Sequence, residues 1–292
     1  MEKIHIVSDS ASDIPQALCQ RFAIEIIPVS LTFGGRTIRE YYDITPEQYW
    51  KVLEESDEIP RTAQISLNDC LNTFLRAKNN GYTHVVAVLM NSAGSGGYQS
   101  ACVARDMFYE EHGREMVIEL IDSRSYSYVY GRIVIECARM REAGRSFAAI
   151  AATARDMVRS VQAYLGVFNL RHLRRSGRIS GGAAFVGDKL GLRPISHVID
   201  GGVDVCEKVR GDKNLGLRLA RLALETAERS GEQTAHLLYA RVDPAHLDQL
   251  EHLLLDGGFA GVERYPIGAA VTTNAGPNAM AVSFLGPMRD PG

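Results

Sequence analysis

The sequence lacks any apolar run near the roughly 18 residues that a membrane-spanning helix requires, so we expect no stable membrane insertion. Five cysteines are scattered through 292 residues, and no two of them form a Cys-x-x-Cys pair. An odd, dispersed set of cysteines is typical of reduced thiols in a cytoplasmic protein. The first predicted strand begins at Ile4, and we expect no signal peptide in front of it. Together these absences predict a cytoplasmic location.

The chain also has little net charge, because 32 Lys and Arg residues face 35 Asp and Glu residues, a net charge of −3 at pH 7. That balance disfavours nucleic acid as a partner. The basic run at residues 171–175 has no interleaved aromatic residues, and we expect a solvated or interdomain turn there. The histidines show no metal-ligand spacing, and Asp9, Asp13 and Asp122 follow predicted strands, where capping and turn bonds are the ordinary role of Asp. We therefore predict no metal site and no cofactor.

The first half of the chain does have a regular alternation of short apolar strands with helices. This order favours a parallel α/β sheet, so we predict an N-terminal Rossmann-like α/β/α domain over residues 1–162. The predicted strands are Ile4–Val7, Ile24–Val29, Val85–Leu89 and Met116–Ile121. The predicted helices are Pro15–Phe22, Pro46–Glu54, Ser66–Lys78, Tyr98–Tyr109, Tyr126–Glu142 and Phe147–Ser160. Residues 31–61 have few α/β hallmarks and could pack on either domain.

The second half is less regular and contains a hairpin whose turn is Asp200-Gly201-Gly202. A hairpin with interleaved helices predicts a C-terminal α/β domain with a mixed sheet over residues 163–292. The predicted strands are Ala163–Phe168, Ile195–Ile199, Val203–Arg210, Ala235–Tyr239, Val262–Pro266 and Ala281–Leu285. The predicted helices are Ala183–Leu190, Leu215–Ser230 and Pro244–Asp256.

The most informative stretch is residues 89–101, Leu-Met-Asn-Ser-Ala-Gly-Ser-Gly-Gly-Tyr-Gln-Ser-Ala. It joins a predicted buried strand to a predicted helix through a Ser- and Gly-rich loop. Such a loop binds anions, because small residues expose backbone N–H groups and the helix N-terminus favours negative charge. The spacing matches neither a P-loop nor a full dinucleotide fingerprint, and no Gly-x-Ser-x-Gly nucleophile elbow surrounds Ser92. The loop therefore predicts a small anion without identifying it.

Three further loops share this composition of Gly and hydroxyl residues, at residues 8–13, 62–66 and 122–123. Three of the four loops follow predicted strands of one parallel sheet. Ligands in such sheets bind beyond the carboxyl ends of the strands. We therefore expect these loops to lie together at one edge of the sheet.

Taken in order, these motifs resemble those of the DegV family of bacterial fatty-acid-binding proteins over nearly the whole chain. Each motif is weak alone, and their joint order and spacing carry the resemblance. The matching segments are residues 7–13, 27–29, 62–64, 94–101, 121–123, 177–180, 200–202 leading to Arg210, and 276–277.

The resemblance implies a two-domain α/β protein that holds a long-chain fatty acid in a buried tunnel between the domains. The family binds the carboxylate through hydroxyls of two loops, which correspond to Thr62 and Ser95 here, with Ser92 and Gly96 beside them. Family members present the fatty acid to a separate ATP-dependent kinase subunit, which forms the acyl phosphate. Because the kinase subunit carries out that reaction, the resemblance implies that this chain is a non-catalytic lipid-binding protein.

The same resemblance implies that Gln64, Arg178 and Asn274 lie near the ligand and that Arg210 takes part in docking the kinase. The chain departs from the family pattern at Asn274, where the family has a histidine. An amide can donate a hydrogen bond, but it cannot carry a charge or a proton. The resemblance therefore favours carboxylate binding and leaves phosphoryl transfer open.

Other interpretations of the same loops stay open. The chain could be a lipid sensor or transport protein without a kinase partner. It could also be a hydrolase or transferase that acts on a small anion, and the hydroxyls of Thr62 and Ser95 could be ordinary helix caps.

Overall fold

The computed structural model describes residues 2–56, 60–168, 171–177, 191–228 and 233–290. Its strands are β1 (Ile4–Asp9), β2 (Ile24–Ile27), β3 (Ser30–Phe33), β4 (Arg36–Arg39), β5 (Arg61–Ala63), β6 (His84–Leu89), β7 (Val117–Asp122), β8 (Val161–Val167), β9 (Leu192–Ile199), β10 (Gly202–Arg210), β11 (Thr234–Tyr239), β12 (Gly261–Pro266) and β13 (Ala279–Leu285). Its α-helices are α1 (Gln16–Arg21), α2 (Pro46–Glu55), α3 (Leu67–Asn79), α4 (Gly97–His112), α5 (Tyr128–Glu142), α6 (Phe147–Val158), α7 (Arg171–Ser176), α8 (Lys213–Thr226), α9 (Pro244–Asp256) and α10 (Ala269–Ala275).

The first sheet has four parallel strands in the order β2-β1-β6-β7. Alternate side chains of its strands face opposite sides, since Val85 and Ala87 pack with α3 and α4 while Val86 and Val88 pack with α5 and α6. Both faces are therefore buried, which is why these strands are continuous apolar runs. The predicted parallel α/β/α arrangement is confirmed.

The second sheet has six strands in the order β10-β9-β8-β13-β11-β12. Only the β11–β12 pair is parallel among these described strands, so the predicted mixed sheet is also confirmed. One face packs against α8 and α9. The other face joins the core around α5 and α6, so one apolar cluster spans the space between the two sheets. The domain boundary near residue 162 stays a prediction.

A third, small sheet lies where the sequence showed few hallmarks. Strands β4, β3 and β5 form an antiparallel sheet, in which Thr62 of β5 is opposite Leu31 of β3. Helix α2 begins with a full capping box, because Gln48 N–H donates to Thr45 Oγ1 and Thr45 N–H donates to Gln48 Oε1. The indole N–H of Trp50 donates to the carbonyl of Ile267 at 3.0 Å, which fixes α2 beside α10.

Other differences from the predictions are local. The expected basic turn at residues 170–175 is wrong, because Arg171–Ser176 form helix α7. Helix α10, rich in Ala and Thr, was not predicted. The helix expected over Ala183–Leu190 lies outside the described residues. No helix in the described part of the chain combines the length and apolar character needed to cross a bilayer.

Candidate functional site

A cavity of about 420 Å³ lies between the parallel sheet and the mixed sheet. Its apolar wall comes from strands of the mixed sheet and from helices α7 and α10, through Leu165, Leu173, Val198, Val203 and Val271. Its polar end comes from the loops that follow β5 and β6. The volume falls in the range of small-molecule sites.

The cavity brings together most of the residues that the sequence singled out. Thr62, Gln64, Ser92, Ser95, Gly96 and Asn274 all line it, although they are separated by up to 212 positions in the chain. Arg178 lies outside the described residues. Arg210 ends β10 with an exposed side chain and is not among the residues that line this cavity.

Thr62 and Gln64 reach the cavity from the small antiparallel sheet and its following loop. The register against Leu31 fixes Thr62 at the middle of β5. The side-chain amide of Gln64 donates to Ser100 Oγ at 2.9 Å on the first turns of α4. A Cβ at Gly96 would lie 2.2 Å from Oε1 of Gln64. Gly96 therefore lets Gln64 pack directly on the backbone at the start of α4.

Asn91 organises the loop between β6 and α4, and sequence reasoning missed this residue. Its backbone carbonyl accepts from the N–H groups of Gly94 and Ser95, both at 3.1 Å, and its side-chain oxygen accepts from Ala93 N–H at 3.2 Å. Its side-chain amide donates to the carbonyl of Gly201 at 2.8 Å and to Tyr126 Oη. Asn91 thus ties the head of the cavity to the hairpin of the mixed sheet. An Asn two residues after a buried strand was the available signal.

The two serines of this loop differ in the use of their hydroxyl protons. Ser92 Oγ donates to Asp122 Oδ2 at 2.5 Å, and Ser92 N–H donates to Asp122 Oδ1 at 3.1 Å. Ser95 Oγ instead accepts from Gly97 N–H at 3.3 Å, which leaves its proton available for a ligand. Ser95 is therefore the better donor to an anion, and Ser92 serves to fix the loop against β7.

Asn274 lies on the last turn of α10, where its side-chain amide donates to the Ala270 carbonyl at 2.8 Å. This bond to the preceding turn orients the side chain along the helix. Ala270 and Val271 of the same helix line the cavity too. The helix thus contributes an apolar surface with one uncharged polar group near its end.

Three buried carboxyl groups sit behind the cavity, and we call Asp9, Asp13 and Glu40 the carboxyl cluster. Asp9 accepts from Met90 N–H at 2.8 Å and from Tyr130 Oη at 2.5 Å. Burial raises the pKa of Asp9 to about 6. Burial together with the nearby Glu40 raises the pKa of Asp13 well above its ordinary value.

Glu40 connects the cluster to helix α10. Its Oε1 accepts from Ala270 N–H at 2.7 Å, and its Oε2 accepts from Ser10 Oγ at 2.6 Å. Asp13 accepts from Ser127 Oγ and from the N–H of Gly268. Burial raises the pKa of Glu40 as well. In the described part of the chain no group of three His, Cys, Asp or Glu side chains is arranged to hold a metal ion.

The arrangement can enclose an amphiphile. Apolar walls accept a hydrocarbon chain, while Thr62, Ser95 and the start of α4 can donate hydrogen bonds to an anionic head group. Ser92 donates directly to a carboxylate, without an imidazole between them. This geometry favours binding over nucleophilic catalysis at Ser92.

Comparison with known proteins points to one family. The family model described as "Uncharacterised protein, DegV family" matches residues 3–286. A DegV domain-containing protein of Clostridium acetobutylicum is 32% identical over 288 residues, covering 98% of this chain and 99% of that protein. A DegV domain-containing protein of Caldanaerobacter subterraneus is 31% identical over 285 residues, covering 97% of this chain and 99% of that protein.

Solved structures give the same result at the level of the fold. A Thermus thermophilus DegV family protein, described as fatty-acid binding, has a TM-score of 0.87 and 26% identity, covering 98% of this chain and 100% of that chain. A fatty-acid-binding DegV family protein of Streptococcus agalactiae has a TM-score of 0.86 and 26% identity, covering 99% and 100%. DegV of Bacillus subtilis, described as a fatty-acid-binding protein, has a TM-score of 0.83 and 25% identity, covering 98% and 100%.

Proposed function

Because this chain belongs to the DegV family, we propose that it binds a long-chain fatty acid in the cavity between its two sheets. The observation that carries the proposal is the cavity itself, an apolar hollow that ends in Thr62 and Ser95. Three structural neighbours described as fatty-acid-binding proteins support it. Both its fold and its site thus favour lipid binding.

The energetics suit such a ligand. Burial of about fifteen methylene groups at roughly 0.8 kcal/mol each gives on the order of 10 kcal/mol, before the cost of association. The tail can therefore provide most of the affinity. The head group needs only enough donors to satisfy its carboxylate, because an unpaired buried anion is costly.

In this proposal Thr62 and Ser95 donate to the carboxylate, and the N-terminal end of α4 adds a favourable dipole. Gly96 keeps the backbone accessible, and Gln64 braces the loop from its other side. Ser92 contributes mainly through its bond to Asp122. Arg178 stays a ligand-proximal candidate on the family resemblance alone.

We further propose that the protein presents the bound carboxylate to a separate ATP-dependent kinase subunit, with Arg210 on the docking surface. The exposed position of Arg210 at the end of β10 supports this role. The alternative is a lipid sensor or transport protein without a kinase partner. The uncharged Asn274, whose amide bonds to its own helix, favours that alternative over phosphoryl transfer.

The direct test is native mass spectrometry of the purified protein, followed by denaturing extraction of any bound lipid. We expect a stoichiometric fatty acid, or binding of added palmitate. Thr62→Ala with Ser95→Ala should weaken palmitate binding about 30- to 100-fold, because two hydrogen bonds to a charged group are lost. Thr37→Ala, on the exposed face of β4, is the matched control. A protein that binds neither palmitate nor oleate would refute the proposal.

A second variant tests where the tail lies. Val203→Phe adds volume to the apolar wall and should weaken palmitate more than octanoate, because only the longer chain needs that space. Val117→Phe, at a valine that is 40% exposed on β7, is the control. Equal palmitate affinity in both variants would place the tail elsewhere.

A further inference from the structure

The face of the mixed sheet that packs toward α5 carries a row of polar residues among apolar ones. Glu263 of β12, His236 of β11 and Ser283 of β13 are paired in register across three neighbouring strands. Leu238 and Ala281 lie on the same face and belong to the core cluster that includes α5 and α6. Side chains directly opposite on adjacent strands have Cβ atoms roughly 5 Å apart, so the three polar side chains are neighbours. We call them the polar row.

The polar row has the composition of a catalytic triad without its geometry. Ser283 is fully buried, and its Oγ has no hydrogen-bond partner in the described part of the chain. A nucleophilic serine needs a hydrogen bond to its base and a place for the substrate beside it. The arrangement therefore does not favour nucleophilic catalysis at Ser283, and its hydroxyl needs another partner.

Two more buried polar atoms at this place have the same need. His236 Nδ1 and Arg132 Nη1 also lack a hydrogen-bond partner within the described residues. Arg132 lies one helical turn after Tyr128 on α5, and the Tyr128 ring packs edge-on against the His236 ring with the centroids 5.2 Å apart. An unpaired buried polar atom is costly, so three of them in one region indicate a shared partner.

The protonation of His236 decides which partner fits. Burial, together with the nearby charge of Arg132, lowers the pKa of His236 to about 3, so the ring is neutral at pH 7. Its Nε2 lies 3.6 Å from Glu263 Oε2 and carries the proton, because a lone pair there would face a carboxylate oxygen. Nδ1 is then an acceptor, whereas Arg132 Nη1 only donates. The shared partner must both donate and accept, which water does and a chloride ion does not.

We propose that a water molecule is bound between the polar row and α5, where it accepts from Arg132 Nη1, donates to His236 Nδ1 and has Ser283 Oγ as its third partner. Buried waters typically make about three such hydrogen bonds. These three residues are not among the described residues that line the cavity containing Thr62 and Ser95. The bound water thus joins α5, which covers the parallel sheet, to two strands of the mixed sheet, and it does so apart from the proposed lipid site.

The test is a high-resolution crystal structure of the full chain, with a second crystal soaked in sodium bromide. We expect an oxygen-sized density peak within about 3.2 Å of all three atoms, and no anomalous bromide signal there. Ser283→Ala should remove or displace the peak and raise the equilibrium constant for unfolding about fivefold, because the water loses a hydrogen bond. Ser8→Ala is the matched control, since the equally buried Ser8 hydroxyl donates to the Val88 carbonyl at 2.8 Å. That variant should leave the peak in place.

Three outcomes would overturn the assignment. An anomalous bromide peak beside Arg132 would identify an anion instead of water. A direct hydrogen bond between Ser283 Oγ and His236 Nδ1 in the crystal would leave the water without its place. A site with no peak would be dry, and Ser283→Ala should then leave the unfolding constant unchanged or lower it, because it removes an unpaired buried hydroxyl. Palmitate binding is measured separately, so each of these results leaves the proposed function standing.

Discussion

Two sets of polar residues lie at the same edge of the parallel sheet, and they use their polar atoms in different ways. The loop between β6 and α4, together with Thr62, presents hydrogen-bond donors to the cavity between the two sheets. The carboxyl cluster, only one strand away, uses its oxygens on the protein's own N–H and O–H groups. In this fold, therefore, the neutral loop is suited to an anionic ligand, and the charged motif holds the chain together.

The carboxyl cluster contacts two walls of the cavity between the two sheets. Asp9 binds the N–H of Met90, and Glu40 binds the N–H of Ala270, and both Met90 and Ala270 line the cavity. Burial is the largest effect on the pKa values of these three carboxyl groups, and it raises all three. Substitutions in the loop should therefore change ligand affinity, whereas substitutions in the carboxyl cluster should change the stability of the fold.

The largest expected effect is at Gly268, where helix α10 meets the cluster. A Cβ there would lie 2.2 Å from Asp13 Oδ1 and 2.8 Å from Glu40 Oε1. Gly268→Ala should therefore lower the free energy of unfolding by about 2–4 kcal/mol, since two buried carboxyl groups must move. Urea denaturation measures this loss.

Gly216→Ala is the matched control, because a Cβ at that position of α8 meets its nearest atom at an ordinary 3.5 Å. It should stabilise the protein by up to about 1 kcal/mol, as alanine does in a helix interior. If Gly268→Ala is as harmless as Gly216→Ala, the cluster does not clamp α10 as described.

The next effect is the pH dependence that comes from Asp9. Its pKa is raised by burial to about 6, so its protonated form stabilises the folded state. That contribution is fully present below the pKa of the unfolded chain, near 4, and is lost as the pH rises through about 6. The loss amounts to about 3 kcal/mol in the wild type, and Asp9→Asn should lack it because an amide does not titrate.

Asp43 contributes a pH dependence of stability with the opposite sign, because hydrogen bonds from Arg39 lower the pKa of Asp43, and Asp43→Asn tests it. Its contribution is present above the unfolded pKa and disappears only as the pH falls below about 4. Denaturation midpoints between pH 4 and pH 8 distinguish the two variants. If the free energy of unfolding changes between pH 4 and pH 6 by the same amount in the wild type and in Asp9→Asn, the assignment to Asp9 is contradicted.

Periodicity in the sequence was enough to predict the two large sheets. The strands of the parallel sheet are buried on both faces, so runs such as Val85–Leu89 stand out in the sequence. The small sheet of β3, β4 and β5 did not stand out, because its strands have three or four residues and mostly polar exposed faces. Helix α10 was missed since its Ala and Thr residues have little periodic contrast, and contacts with Glu40 and Tyr49 hold it instead.

The sequence predicted those residues of the candidate site that belong to a recognisable motif. Thr62, Ser92, Ser95 and Asn274 were identified from loop composition and from the family resemblance. The bonding of Ser92 to Asp122 could not be predicted, because the two loops meet only once the strands are paired.

The smallest expected effect sharpens the comparison within the loop itself. Ser92→Ala should change palmitate affinity less than about threefold, because the hydroxyl proton of Ser92 is already given to Asp122. Ser95→Ala should weaken palmitate about tenfold, since Ser95 Oγ holds an available proton at the polar end of the cavity. Calorimetric titration of both variants measures the ratio. Equal losses would mean that Ser92 leaves Asp122 to donate to the ligand, and the distinction between a donor serine and a bracing serine would fail.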